Sequence, residues 1–310
     1  MRFELDADQR AVLDAVEGIL ESNAGPARAR QLGGDQPRHD AELAELLRAQ
    51  GFLGLAGEEG AGPLDAGLVV EAVARHAGVI SVGPEALVVP GALGGRSLAA
   101  PVVLAVARTT DPVRFAADAA TLVSVDESEA YVVDLRPGDA EPVASRFGYP
   151  MARVHRWDGE SLGPGSSAAV RAWWRVAVAV EVAGVARAAL DTTVGHVRDR
   201  HQFGRPLGSF QGVQHRLAEC EVLAQGARWL ALEAAWARAD PERAAAAAAQ
   251  AVRVADRVFW ETHQFSGALG FTVEYDLHLW TMRLPALRAE LLALGSPATA
   301  LAATRWGDGG

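Results

Sequence analysis

Along the chain, apolar positions recur first at helical spacing, then at strand spacing, then again at helical spacing. Over 1–100 the pattern predicts helices. Residues 7–22 carry Val12, Leu13, Val16 and Leu20 at steps of three and four, Asp40–Gln50 make a short helix stopped by Gly51, and a third helix holds Leu68, Val69 and Val73. Residues 24–39, rich in Gly, Pro, Arg and Asp, read as a loop, and His76 reads as a packed or capping histidine. Over 101–160 the period shortens. β-Branched runs at Pro101–Ala107, Ala120–Val125, Ala130–Leu135 and Ala152–Trp157 alternate with Asp, Pro and Gly turns, which predicts a small β-domain.

Residues 159–167 read as a Gly/Ser/Pro linker into a helical bundle that begins at 168. The first bundle helix shows Val176, Val180, Ala183, Leu190, Val194 and Val197 as one buried stripe. A second, for which Ser209 is a candidate cap, carries Val213, Leu217, Cys220, Leu223, Ala227 and Leu230. A third runs over 241–263, with Ala244–Ala249 as plain helix propensity, and a short helix over 286–294 precedes a Gly/Ala-rich tail. The expected fold is α+β but mainly α: an N-terminal helical domain (1–100), a middle β-domain (101–160) and a C-terminal four-helix bundle domain (168–310).

Composition narrows the function. With a net charge of −10, nucleic acid is a poor partner. No apolar run reaches the ~20 residues of a membrane span, and the first residues lack the shape of a signal peptide, so a cytoplasmic setting is expected. The single cysteine, Cys220, excludes a disulfide within the chain and reads as a buried thiol. All 29 basic residues are arginine, so no lysine chemistry is available and no lysine-bearing phosphate loop exists. Asp191, His196 and His201 have no nucleophile elbow beside them, and His215, His263 and His278 lack a metal-ligand spacing.

Between the first two bundle helices, Gly204, Pro206 and Gly208 break the segment Asp199–Gln211. The break gathers a guanidinium (Arg200), two amides (Gln202 and Gln211) and an aromatic ring (Phe203) beside a helix N-terminus. A planar fork of donors next to unpaired N–H groups suits a diphosphate.

The motif Arg200-x-Gln202-Phe203-Gly204-x-Pro206-Leu207-x-x-Phe210-Gln211 resembles the start of the C-terminal domain of the acyl-CoA dehydrogenases, FAD enzymes that desaturate acyl-CoA thioesters. The segment Gln264-Phe265-Ser266-Gly267-Ala268-Leu269-Gly270-Phe271, followed by Asp276-Leu277-His278-Leu279, resembles a second motif of that family about sixty residues later. The resemblance is strong over 168–285 and weaker over 1–160. It implies that Arg200, Gln202, Phe203, Gln211, Gln264 and Gly267 contact the ADP side of FAD, with Arg200 on the diphosphate.

The family's flavin-facing loop and its Trp-Ile-Thr/Ser strand have no counterpart over 101–160, and Ala268 stands where the family has a second glycine. Both family positions for the catalytic glutamate lack one: the segment Trp280–Arg288 has no Tyr-Glu-Gly-Thr loop, and the helix position thirty residues before Gly204 is Trp174. Glu181, two turns later, is the remaining candidate base on that helix, weighed against a structural role. The chain therefore resembles the shorter, non-catalytic subunit of α2β2 heterotetrameric steroid side-chain acyl-CoA dehydrogenases. That likeness implies a FAD shared with a longer catalytic partner, an acyl-CoA substrate reached through the complex and an electron-transfer acceptor. Two other readings stay open: a self-sufficient dehydrogenase using Glu181, and a cofactor-free helical assembly module, which Ala268 would favour.

Overall fold

The computed structural model describes residues 4–33, 36–94 and 96–307. The N-terminal helices are α1 (Ala7–Asn23), α2 (Gly25–Gln31), α3 (Ala41–Ala49), α4 (Pro63–Arg75) and α5 (Val89–Ala92), the last preceded by a π-turn at Pro84–Val88. Helix α1 starts in a reciprocal cap, in which the Asp6 carboxylate accepts from the Gln9 N–H and the Gln9 side chain accepts from the Asp6 N–H. Helix α2 lies inside the segment expected to be a loop. Pro26 near its start presets φ, and Arg28 and Arg30 fall in its last turn, so a composition that reads as loop still satisfies a short helix. At the end of α4, His76 Nδ1 meets the Ala72 carbonyl oxygen at 2.9 Å, the expected capping role.

Strands β1 (Val102–Val106), β2 (Val113–Arg114), β3 (Thr121–Val125), β4 (Glu129–Asp134), β5 (Ala140–Val143), β6 (Met151–Val154) and β7 (Glu160–Pro164) form two small sheets. One has the order β1-β3-β4-β7 and the other β2-β6-β5. β1 and β3 run parallel, and their near-continuous burial matches their unalternating Val/Leu sequence. The expected linker over 159–167 is mostly strand: β7 pairs with the polar edge of β4 and needs no apolar side chains.

The C-terminal helices are α6 (Ser166–Asp199), α7 (Gln211–Trp236), α8 (Pro241–Ser266), α9 (His278–Thr281), α10 (Arg283–Ala293) and α11 (Pro297–Trp306); β8 (His201–Gln202) and β9 (Arg205–Pro206) form a hairpin between α6 and α7. Helix α11 occupies the stretch expected to be a tail, started by Ser296, whose Oγ accepts from the Thr299 N–H, and by Pro297. Helix α6 is the axis of the fold. Of the stripe the sequence predicts, Val176, Val180, Ala183, Leu190 and Val197 are buried but Val194 is exposed, and Val178, Ala179, Val182, Val185 and Ala186 are buried as well, because α4, α7 and α8 all pack around the helix. At Gly184 an added Cβ would stand 2.4 Å from the Glu71 carbonyl oxygen, so α4 and α6 cross where no side chain fits. Ala244, Ala245, Ala247, Ala248 and Ala251 on α8 are fully buried, and their small size lets α8 approach α6 and α7 closely. Cys220 is a free, fully buried thiol. No helix among the described residues is long and apolar enough to cross a membrane.

Candidate functional site

The structure separates the sequence candidates into two places, an exposed corner at the end of α6 and a cleft between the strands and α10. At the corner, α6 ends at Asp199 and Arg200 turns into extended backbone. The hairpin β8–β9 folds back through Phe203 (φ 55) and Gly204 (φ 80), two successive left-handed residues, as a two-residue hairpin with the strands' natural twist requires. Glycine adopts that conformation freely, whereas phenylalanine is strained there by about 1–2 kcal/mol. The strain holds a ring in solvent: Phe203 is 89% exposed, the most exposed large apolar side chain described, and meets the edge of Phe210 at 6.1 Å. Arg205 in turn lies over Phe210 at 4.0 Å.

Arg200 forms no ion pair among the described residues and lines a shallow surface basin with Thr192, Gly195, His196, Asp199 and Tyr275. Burial pushes the His196 imidazole below its usual pKa, and the nearby Arg200 charge pushes it further. Helix α7 begins without a side-chain cap: the Ser209 Oγ expected there donates to the Pro206 carbonyl at 2.7 Å instead. The first N–H groups of this 26-residue helix thus receive no side-chain cap, while Val213 and Gln214 already donate to the Phe210 carbonyl at 3.0 Å. Gln202 and Gln211 are exposed.

The second motif leaves the end of α8, and Tyr275, a few residues after it, lines the same basin. Gln264 is exposed on the last turn, and Gly267 ends the helix at φ 60, ψ −145, a backbone state essentially reserved for glycine. Beneath the following turn, buried His263 pairs through Nε2 with Thr281 Oγ1 at 3.0 Å and stacks on Phe271. Gly270 is tightly enclosed, since an added Cβ would lie 2.9 Å from Ser266 Cβ. Tyr275 then returns to α6, donating to the Thr192 carbonyl at 3.0 Å and packing on His196. Leu269, Phe271 and Val273 on this turn, Val194 near the end of α6 and Phe203 are exposed large apolar residues. A monomer rarely leaves such a concentration bare.

The cleft is built differently. Trp174, at one expected base position, is buried in its wall, and its Nε1 donates to Glu290 Oε1. The other expected position, 280–288, is taken up by α9 and α10, with Trp280 donating to the Arg75 carbonyl and Arg283 buried. Glu181 is buried too, its carboxylate held at 2.7 Å by Arg114, which also binds Glu290 at 2.6 Å. Tyr149 donates to Glu181 at 3.4 Å and lies between Arg114 and Arg283. Desolvation alone would lower the pKa of Arg114, but the two carboxylates outweigh it and hold the pKa well above its ordinary value. Glu181 is therefore an ion-pair partner fixed in place. Sequence reasoning missed Glu290 and Arg114. Their only local signal is that Glu290 sits with Ala286, Ala289 and Ala293 on the flank of α10 opposite buried Leu284, Leu287 and Leu291.

The FAD fit can be judged from these atoms. An unpaired guanidinium, an uncapped helix start and a glycine-only turn suit the diphosphate end of such a group. The strand residues Leu104, Ala105, Val113 and Met151 that line the cleft, in contrast, offer no side-chain donor to a flavin ring, and Arg114 beside them is already paired with Glu181 and Glu290.

Residues 170–290 match the family model described as acyl-CoA dehydrogenase, C-terminal domain. The chain is 29% identical over 301 residues to acyl-CoA dehydrogenase IpdE2 of Mycobacterium tuberculosis, covering 89% of this chain and 90% of that protein. Its fold is similar to the ChsE4–ChsE5 complex from M. tuberculosis (TM-score 0.78, 20% identity, 99% of this chain and 98% of that one). It is equally similar to a variant of the Tcur3481–Tcur3483 steroid ACAD (TM-score 0.77, 22% identity, 97% of each).

Proposed function

We propose that this chain, which belongs to the acyl-CoA dehydrogenase family, is the non-catalytic subunit of a heteromeric member. A longer partner holds most of the FAD and the catalytic base, and this chain lends it the diphosphate side. Arg200 binds the diphosphate with the N–H groups at the start of α7, Phe203 packs against the partner's cofactor, and Gln202, Gln211 and Gln264 bind polar groups of the ribityl and adenosine portions. Gly267 lets the backbone turn close by. FAD, when bound, supplies the hydride acceptor for desaturation of an acyl-CoA thioester. This chain's residues orient it and exclude water without moving a proton, and electrons leave to a separate acceptor protein.

The single observation that carries the reading is the exposed corner: an unpaired guanidinium, an uncapped 26-residue helix and a strained, exposed Phe203 on one surface. Such a surface is costly for a lone chain and productive only when a partner covers it. Two of the relatives are described by paired names, one of them as a steroid ACAD, which supports a bulky acyl group as substrate of the complex.

The test is Arg200→Ala in the co-expressed complex. Loss of a charge-assisted contact worth about 1.5–3 kcal/mol predicts flavin affinity ten- to a hundredfold weaker and a complex that loses colour on dialysis. Unchanged flavin content would favour the cofactor-free assembly module, which Ala268 permits. The self-sufficient enzyme finds no support in the cleft, where Glu181 is tied to Arg114.

A further inference from the structure

The basin at the end of α6 is lined by Thr192, Gly195, His196, Asp199, Arg200 and Tyr275. Its fixed charges cancel, because the Asp199 carboxylate lines the same surface as the Arg200 guanidinium. The carbonyl end of the 34-residue α6 adds partial negative charge at this place. A diphosphate diester is a dianion. Arg200, opposed by Asp199 and by the helix end, does not balance it alone. Of the remaining lining residues, Thr192, Gly195 and Tyr275 are neutral near pH 7, which leaves His196 as the group that can add positive charge.

His196 is placed for that role. It sits in the last turn of α6, one turn before Arg200, whose N–H donates to the His196 carbonyl at 2.9 Å. Its half-buried ring packs on Tyr275 at 5.5 Å, and Tyr275 is itself anchored on the Thr192 carbonyl at 3.0 Å. Neither ring nitrogen makes a hydrogen bond among the described residues. Beside it the basin is open, since a Cβ added to Gly195 would meet nothing within 4 Å. In the free chain burial keeps the imidazole neutral, the Arg200 charge reinforces this, and Asp199 opposes it in part. The other charged neighbours are occupied: Asp276, next to Tyr275, pairs with Arg30, and His201 Nδ1 meets the Asp199 carbonyl at 3.1 Å. An anion held by Arg200 would screen the repulsion and attract the proton, so anion and proton bind together.

We propose that His196 is a second diphosphate contact of this subunit, taking up a proton from solvent as the partner's FAD arrives and donating a ring N–H to a diphosphate oxygen beside Arg200. This rests on the reading that Arg200 meets the diphosphate. The dianion is then faced by two cations, and Asp199 remains solvated at the edge of the basin.

The experiment is titration calorimetry of FAD into the flavin-stripped complex at about pH 6.5, in two buffers of different ionisation enthalpy. The expected result is uptake of about half a proton or more per FAD, with affinity rising on acidification by up to about tenfold per pH unit. His196→Gln should remove that uptake, flatten the pH dependence and weaken FAD at least tenfold, the weight of one hydrogen bond from a charged group. His196→Arg, a fixed cation, should restore the affinity without proton uptake, which a merely structural ring would not allow. Where stripping separates the subunits, the rate of flavin loss from the holo-complex is followed against pH instead, and should rise with pH in the parent but not in His196→Gln. Proton uptake undiminished in His196→Gln, or FAD affinity unchanged in it at pH 6.5, would each overturn the assignment. Arg200→Ala separates the two levels: if it weakens FAD while His196→Gln is silent, only this contact fails, and if both are silent, the reading of the corner fails with it.

Discussion

The corner and the cleft are opposite solutions on the same helix. At one end of α6, charge and aromatic surface are left exposed: Arg200 has no ion pair among the described residues, Phe203 stands in solvent at a strained angle, and α7 starts without a side-chain cap. In the cleft the charges are held inside: Arg114 binds Glu181 and Glu290, Trp174 bonds Glu290, and Arg283 donates to the Ala77 and Gly78 carbonyls at 2.9 Å. The first arrangement is built for something outside the chain. The second is built for the chain itself. A catalytic carboxylate must be free to take a proton, and a carboxylate in a bidentate pair with a buried guanidinium is not.

The largest effect that would break this comparison is on stability. Arg114→Ala leaves Glu181 and Glu290 facing each other without their cation, which should destabilise the chain by about 3–5 kcal/mol in denaturant titrations. A variant as stable as the parent would mean the cleft is not a structural lock. Phe203→Gly sharpens the other side. Relief of the left-handed strain and the added freedom of the unfolded chain should nearly cancel, leaving the lone chain within about 1 kcal/mol of the parent. Association with the partner should weaken tenfold or more, since a buried phenylalanine contributes about 1.5–3 kcal/mol at an interface. Equal association by sedimentation would remove Phe203 from the contact.

The effect of pH is smaller and has a fixed sign. Burial lowers the pKa of His39, His196 and His263, so the unfolded chain binds more protons than the folded one as pH falls below the usual imidazole range. Stability contributed by keeping these rings neutral is present above about pH 7 and is lost progressively on acidification through about pH 6.5. Melting temperature should fall between pH 7.5 and 5.5, and His263→Gln should flatten the fall; a rise on acidification would contradict the burial argument. Smallest of all is Glu181→Gln, which should leave turnover per folded complex within a few-fold. A loss of ~10²–10⁴ would make Glu181 a base after all.

The difference between the two regions also explains what the sequence could and could not reveal. The corner is local: Arg200, Gln202, Phe203 and Gln211 lie within twelve residues, and their glycines and prolines announce a break, although not that the break closes as a β8–β9 hairpin. The helices showed through their periodicity wherever one face was buried, but α6, buried on all sides, gave only part of its core. Short elements stayed hidden where composition suggested coil, as in α2, β7 and α11, because caps and edge pairing stabilise them without an apolar stripe. The lock in the cleft was illegible for another reason. Arg114 meets Glu181 and Glu290 across sequence separations of 67 and 176, and no short window contains both halves of such a contact.

The most direct measurement is the absorbance spectrum of this chain purified alone and after co-expression with a longer acyl-CoA dehydrogenase partner. The account predicts a colourless lone chain without dehydrogenase activity, and a yellow complex carrying one FAD for each pair of unlike subunits. A yellow lone chain that desaturates an acyl-CoA would contradict it.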